Sequence, residues 1–132
     1  MIADDEPDIT RTVSIMLESE GYDVVSAEDG QDAVHKAYAD SPDLIILDVA
    51  LPLIDGRGVA SRLKNDSRFL KTPIIFITAQ AQKGDQELLK DAPAETCILK
   101  PFDLYELKDK IESLFKLLET QEEIESGDSD EK

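Results

Sequence analysis

The sequence contains the continuous apolar run Leu44-Ile45-Ile46-Leu47, which is followed at once by Asp48. Because polar and apolar residues do not alternate in it, the run is typical of a strand that is buried on both faces. Strands of this kind occur in parallel sheets that are covered by helices on both sides. The run therefore predicts a central strand of an α/β protein.

Short apolar runs and amphipathic stretches alternate along the rest of the chain. The other predicted strands are Met1-Ile2-Ala3, Val24-Val25, Ile74–Ile77 and Thr96–Leu99. The stretches between them carry apolar residues at helical spacing, including a predicted helix near Gln86–Lys90 and a last helix with an apolar stripe over Leu104–Leu118. Five successive strand–helix units predict one domain built on a parallel sheet with helices on both faces.

Composition and charge restrict the possible classes of function. The chain has 132 residues, of which 41% are hydrophobic, as expected of one globular domain. Its formal net charge of −16 opposes binding to DNA, RNA and anionic lipid, so the sequence predicts no nucleic-acid partner and no membrane partner. No apolar run approaches the length of a membrane span, and the single cysteine, Cys97, cannot form an intramolecular disulfide. These features predict a cytoplasmic protein.

The C-terminal residues form a separate, highly acidic segment. Residues 119–132 contain seven acidic residues and one lysine. A segment of this composition is predicted to be a solvated tail or a frayed extension of the last helix.

Polar or charged side chains follow four of the predicted strands. Asp4 and Asp5 follow the first strand, Asp48 the third, Thr78 the fourth and Lys100 the fifth. The carboxyl ends of parallel strands lie at one edge of a sheet, and α/β proteins bind their ligands at that edge. These five side chains are therefore expected to converge.

The expected group has the chemistry of a phosphoryl-transfer site. Three carboxylates in one pocket repel each other unless positive charge is present, and Lys100 and a divalent cation such as Mg²⁺ can supply it. An aspartate can act as a nucleophile toward phosphorus and form an acyl phosphate. We predict that Asp48 accepts a phosphoryl group beside Mg²⁺ that is held by Asp4 and Asp5. Thr78 and Lys100 are predicted to contact the phosphoryl oxygens.

Four segments of the sequence form a recognisable set. They are Asp4-Asp5-Glu6-Pro7; Leu44–Asp48 with Pro52 and Asp55-Gly56; Phe76-Ile77-Thr78-Ala79; and Leu99-Lys100-Pro101-Phe102. Together they closely resemble the receiver domain of two-component response regulators. The resemblance implies a flavodoxin-like (βα)5 fold, which is a doubly wound parallel sheet of five strands in the order 2-1-3-4-5. It also implies a receiver domain at residues 1–118, followed by the acidic tail at residues 119–132.

The resemblance also implies the roles of the acidic residues. Asp48 is implied to be the phosphoacceptor of a Mg²⁺-dependent phosphorelay. Asp5, Asp48 and the backbone carbonyl of Ala50 are implied to be direct Mg²⁺ ligands, with Asp4 as an outer acidic partner.

The same resemblance implies how the signal passes on. The donor would be a histidine kinase or a histidine phosphotransfer protein. Thr78 would supply the switch hydroxyl, and Lys100 would contact the phosphoryl group. A protein target would read the change at an output face over Gln82–Leu118. The family's aromatic switch position is occupied here by Cys97, which we predict to be a buried strand residue.

These features predict a stand-alone signalling protein, a monomer or weak dimer, that signals by conformational change. It would not be an enzyme beyond self-phosphorylation from a phosphodonor and slow self-dephosphorylation. One alternative is a binding-only pseudo-receiver, which a failure to bind Mg²⁺ would favour. The other is an aspartate-nucleophile phosphatase; such enzymes often carry a second acid two residues after the nucleophile, where this chain has Ala50.

Overall fold

The sheet of the computed structural model contains five parallel strands in the order β2-β1-β3-β4-β5. The strands are β1 (Ile2–Ala3), β2 (Ser26–Ala27), β3 (Ile45–Asp48), β4 (Ile74–Thr78) and β5 (Thr96–Leu99). The structure describes residues 1–79 and 94–130, and the side chains of the last helix as far as Gln121. The predicted doubly wound α/β fold and its strand order are confirmed.

Four helices and one short 3-10 helix lie within the described residues. They are α1 (Pro7–Ser19), α2 (Gly30–Asp40), α3 (Gly56–Lys64), the 3-10 helix Ser67–Phe69 and a C-terminal helix (Leu104–Asp130). The sheet and α1 to α3 belong to one compact unit, Met1–Phe102, and the C-terminal helix belongs to a second. The helix predicted near Gln86–Lys90 lies outside the described residues.

The C-terminal helix carries the predicted apolar stripe, in which Leu107 and Ile111 are buried. It continues to Asp130, through most of the segment that was expected to form an acidic tail, so the domain boundary at residue 118 stays a prediction. In the part of the chain that the structure describes, no helix is both long enough and apolar enough to cross a membrane.

Strands β3 and β4 are buried throughout and pair with each other in the sheet. Their pairing runs from Ile45 opposite Ile74 to Asp48 opposite Ile77. Every residue of both strands is buried, and burying one such apolar side chain contributes roughly 1.5–3 kcal/mol. This packing holds the carboxyl ends of the strands at fixed positions. Cys97 in β5 is also buried, as predicted.

The second strand begins two residues later than predicted. The prediction was Val24-Val25, whereas β2 is Ser26–Ala27, paired with β1. The N–H of Ile2 donates to the carbonyl of Val25 at 2.9 Å, so the bonding between the two strands starts at Val25 and continues toward the carboxyl end. Among the strands that the structure describes, β2 is the outermost on one side of the sheet and pairs only with the short β1. Its position is therefore determined by its pairing with β1 and not by its own hydrophobic residues.

Candidate metal centre at the carboxyl edge of the sheet

The carboxyl edge of the sheet brings together the acids and the lysine predicted from the strand ends. Asp48 and Thr78 are the last residues of β3 and β4, and they are 4% and 5% exposed. Asp4 follows β1 and is 1% exposed, whereas its neighbour Asp5 is exposed. Lys100 follows β5. The convergence arises because all five strands run parallel and end at the same edge.

Lys100 lies among three carboxylates that come from two different parts of the chain. Its Nζ is 3.0 Å from Asp48 Oδ2, 3.1 Å from Asp4 Oδ2 and 3.1 Å from Glu6 Oε1. Burial alone would lower the pKa of Lys100, but the contacts with the three acids outweigh burial and raise the pKa. The ammonium therefore stays charged and neutralises part of the acidic cluster.

The two carboxylate oxygens of Asp4 have different surroundings. Oδ1 accepts the backbone N–H of Glu6 at 2.8 Å. Oδ2 is buried and has the Lys100 ammonium 3.1 Å away, but that contact is an ion pair without the alignment of a hydrogen bond. Burial raises the pKa of Asp4; the Glu6 N–H and Lys100 act against this effect, and Asp48 adds to it.

Four acidic side chains surround one small volume at this edge. Asp4, Asp5, Glu6 and Asp48 each offer a carboxylate oxygen, and these four oxygens lie within 4.8 Å of one another. One lysine cannot balance four carboxylates, and a hard divalent cation prefers oxygen ligands of this kind. The buried Asp4 Oδ2, which has no aligned donor, is a further sign that the residues fit a cation.

Glu6 is the member of this cluster that was not predicted as a site residue. It precedes α1 as the N-cap residue, but its side chain makes no capping hydrogen bond and contacts Lys100 instead. The signal in the sequence was its position directly after the Asp4-Asp5 pair. An acidic residue before a helix is ordinarily assigned to the helix dipole, which is why the contact with Lys100 went unrecognised.

Both carboxylate oxygens of Asp48 have partners within the described residues. Oδ1 accepts the backbone N–H of Ala50 at 3.0 Å, and Oδ2 accepts a hydrogen bond from Lys100. The contact through Ala50 uses its amide, whereas the predicted role as a metal ligand concerns its carbonyl. That role therefore stays a prediction.

A backbone hydrogen bond connects Thr78 and Lys100, the two residues that are predicted to contact the phosphoryl group. The last pair of β4 and β5 is Thr78 opposite Leu99, and the N–H of the next residue, Lys100, donates to the carbonyl of Thr78 at 2.8 Å. The hydroxyl-bearing residue and the lysine are thus fixed beside each other by the pairing of their strands. Their contact with a phosphoryl group stays a prediction.

Comparison with known proteins agrees with the resemblance found in the sequence. Residues 1–112 match the sequence model of the response regulator receiver domain. The DNA-binding dual master transcriptional regulator RpaA of Synechocystis is 40% identical over 116 residues, which are 88% of this chain and 48% of that protein. The chain thus spans about half the length of the curated relatives it matches.

Similar solved structures include receiver domains with magnesium. The receiver domain of a sensor histidine kinase from Pseudomonas aeruginosa, with a magnesium ion in its active-site cleft, has a TM-score of 0.78 and 31% identity, covering 86% of this chain and 93% of that one. The response regulator TrrA from Thermotoga maritima, in complex with Mg²⁺–BeF, has a TM-score of 0.75 and 33% identity, covering 86% and 95%.

The predicted absence of a nucleic-acid partner is wrong. The Synechocystis relative is DNA-binding by name, and the chain covers only 48% of it. The net charge of −16 describes the surface of this chain alone and does not describe the remainder of such a protein. The partner prediction also included an output face over Gln82–Leu118, part of which lies outside the described residues.

Proposed function

The chain belongs to the response regulator receiver domain family, and on this premise we propose that its Asp48 accepts a phosphoryl group in a two-component system. The observation that carries the proposal is the environment of the Asp48 carboxylate. It is buried at the end of β3, 3.0 Å from Lys100 Nζ, with three further acidic groups that each have an oxygen within 4.8 Å. This arrangement suits a group that gains negative charge next to a lysine and a cation.

The proposed reaction moves one phosphoryl group. A carboxylate oxygen of Asp48 forms a bond to phosphorus, while the bond between phosphorus and the donor breaks and its electron pair leaves with the donor. Lys100, which contacts Asp48 Oδ2 beforehand, then pairs with an oxygen of the phosphoryl group. A histidine kinase is the proposed donor, as expected for a member of this family.

We propose that Asp5, Asp48 and the carbonyl of Ala50 hold Mg²⁺, with Asp4 as an outer partner. The clustering of the four acids and the buried Asp4 Oδ2 support this assignment. When bound, Mg²⁺ would neutralise the carboxylates and the oxygens of the incoming phosphoryl group.

Acceptance of the phosphoryl group is proposed to act as a two-state switch. The added charge draws the Thr78 hydroxyl and the Lys100 ammonium to the phosphoryl oxygens, and the ends of β4 and β5 adjust with them. Amide spectra recorded before and after phosphorylation test this step. Unchanged amide positions at Thr78 and Lys100 would contradict it.

The phosphoacceptor is tested by intact mass after incubation with Mg²⁺ and acetyl phosphate, with Asp48→Asn as the matched control. We expect one added phosphoryl group in the parent, complete loss of the addition in Asp48→Asn, and loss in the parent when Mg²⁺ is chelated. Addition of a phosphoryl group to both proteins would show that a residue other than Asp48 is the phosphoacceptor. No addition to either, together with no Mg²⁺ binding, would favour the binding-only pseudo-receiver.

A further inference from the structure

The first residue of α2 is in direct backbone contact with the loop that follows β3. We call residues Val49–Asp55 the phosphoacceptor loop, because it begins directly after Asp48. The N–H of Gly30 donates to the carbonyl of Pro52 in this loop at 3.0 Å. A Cβ atom at Gly30 would lie 1.8 Å from the carbonyl oxygen of Ile54, a separation that no side chain can occupy. Only glycine allows this approach between α2 and the loop.

The contacted part of the loop is a strained turn. The carbonyl of Pro52 also accepts the N–H of Ile54 at 2.8 Å, which closes a three-residue turn around Leu53. Leu53 has a φ of 69°, the sign found in the rare and strained form of this turn. Its side chain is 75% exposed, so its own packing contributes little to holding the turn. The contact with Gly30 supplies a restraint from outside the loop.

The other end of the loop is restrained by a second glycine. The N–H of Gly56 donates to the carbonyl of Val49 at 2.9 Å, and a Cβ atom at Gly56 would lie 2.4 Å from the carbonyl oxygen of Asp48. Ala50 lies between the two restraints, and its N–H is already bound to Asp48 Oδ1. The path of the backbone at Ala50 is therefore determined by contacts on both sides.

We propose that Gly30 is a positioning residue for the metal centre. By holding the turn at Pro52–Ile54, it fixes the direction of the Ala50 carbonyl without touching the metal or the phosphoryl group. This inference rests on the proposed function, because it assumes that the Ala50 carbonyl is a metal ligand. A side chain at position 30 forces the loop or the start of α2 to move, while β3 and β4 remain packed.

The test is the Mg²⁺ dissociation constant of the full chain, measured by amide chemical shifts, together with the melting temperature in chelator. We expect Gly30→Ala to bind Mg²⁺ about 10-fold more weakly or worse, the size of effect seen when residues that orient metal ligands are changed. Gly58→Ala is the matched control. Its added Cβ would meet only side-chain atoms of the loop, the nearer being Ile54 Cγ2 at 2.9 Å, and no backbone atom of the loop. Its affinity should stay near the parent value.

A second pair of variants addresses the case in which Gly30→Ala does not fold. The Asp29 carboxylate caps α2 by accepting the N–H of Asp32 at 2.7 Å, so it steadies the turn that contains Gly30. Asp29→Ala and Asp29→Ser remove the same charge, but serine can still cap the helix. We expect weaker Mg²⁺ binding in Asp29→Ala than in Asp29→Ser.

The outcomes separate this inference from the proposed function. A parent that binds Mg²⁺ and a folded Gly30→Ala that binds equally well would overturn the positioning role and leave the proposed function standing. Equal affinities of the two Asp29 variants would do the same where Gly30→Ala is unfolded. A parent that does not bind Mg²⁺ would overturn the metal site itself, and the positioning role with it.

Discussion

Two lysines at opposite edges of the sheet have almost the same exposure and very different partners. The side chain of Lys64, near the amino ends of β4 and β5, is 12% exposed, and that of Lys100 at the carboxyl edge is 13% exposed. Lys64 Nζ donates to the carbonyl of Thr72 at 2.6 Å and to Glu95 Oε1 at 3.0 Å. Lys100 faces three carboxylates.

The difference between the two lysines lies in the balance of charge. At the amino ends of the strands, Lys64 pairs with one acid, Glu95. The second carboxylate oxygen of Glu95 accepts the N–H of Ile74, so the donors and acceptors at this site are matched. At the carboxyl edge the acids outnumber the lysine. Burial of a lysine therefore does not identify a functional site, whereas a buried excess of one charge requires a further partner.

The largest expected effect is the loss of the Lys100 ammonium. Lys100→Met leaves the buried oxygens of Asp4 and Asp48 without their cation, and we expect it to lower the free energy of unfolding by about 3 kcal/mol in chelator at neutral pH. Mg²⁺ should stabilise this variant more than it stabilises the parent, because the cation takes over the neutralising role. Urea unfolding with and without Mg²⁺ measures both effects.

Lys64→Met is the matched control at the amino edge. We expect it to cost about 2 kcal/mol, because Thr72 and Glu95 lose a charged donor. Mg²⁺ should not recover this loss. If Mg²⁺ stabilised Lys64→Met as much as Lys100→Met, the excess of acids around Lys100 would not be what binds the cation.

A smaller effect is expected from the pH dependence of Asp4. Burial raises its pKa in the folded state, so its contribution to stability is greatest below the ordinary value of about 3.9 and is lost as the pH rises through the raised value. Asp4→Asn keeps the oxygen that accepts the Glu6 N–H and removes the charge. In chelator, the variant should therefore gain stability relative to the parent as the pH rises from acid to neutral. Urea unfolding over this pH range measures the gain. If the free energies of unfolding of the parent and of Asp4→Asn change with pH in parallel, folding does not raise the pKa of Asp4.

The smallest effect is expected at Glu6, whose side chain is 59% exposed. Glu6→Gln leaves Lys100 with Asp4 and Asp48, and exposed ion pairs contribute about 1 kcal/mol or less. The melting temperature in chelator should therefore change little. A loss as large as that of Lys100→Met would mean that Glu6, and not the buried acids, holds the lysine in place.

Much of the fold could be predicted because apolar runs carry the signal of buried strands. β5 has the predicted bounds, and β4 extends by one polar residue, Thr78, beyond the predicted run. β3 begins one residue later than the predicted Leu44–Leu47 and ends one residue later, at Asp48. β2 was misplaced because an edge strand of two residues takes its position from its neighbour. The five polar residues at the strand ends were predicted to converge, and the parallel sheet brings those ends to one edge.

The partners of the site could not be predicted in the same way. The Glu6–Lys100 contact joins residues 94 positions apart, and Gly30 contacts Pro52 in the phosphoacceptor loop, 22 positions further along the chain. Local patterns contain no record of such contacts. The error over nucleic acid had a different cause: the net charge of −16 describes this chain alone, and the chain covers only 48% of the Synechocystis relative that is DNA-binding by name.

The strands, their parallel arrangement and the acidic and basic residues at their ends follow from the order of side chains along the chain, because burial and hydrogen bonding act through short, regular patterns. The excess of acids around Lys100 and the absence of space at Gly30 exist only in the folded molecule. The first depends on distances between charges, and the second on distances between backbone atoms. Folding sets both kinds of distance, and distance determines the strength of electrostatic and steric effects.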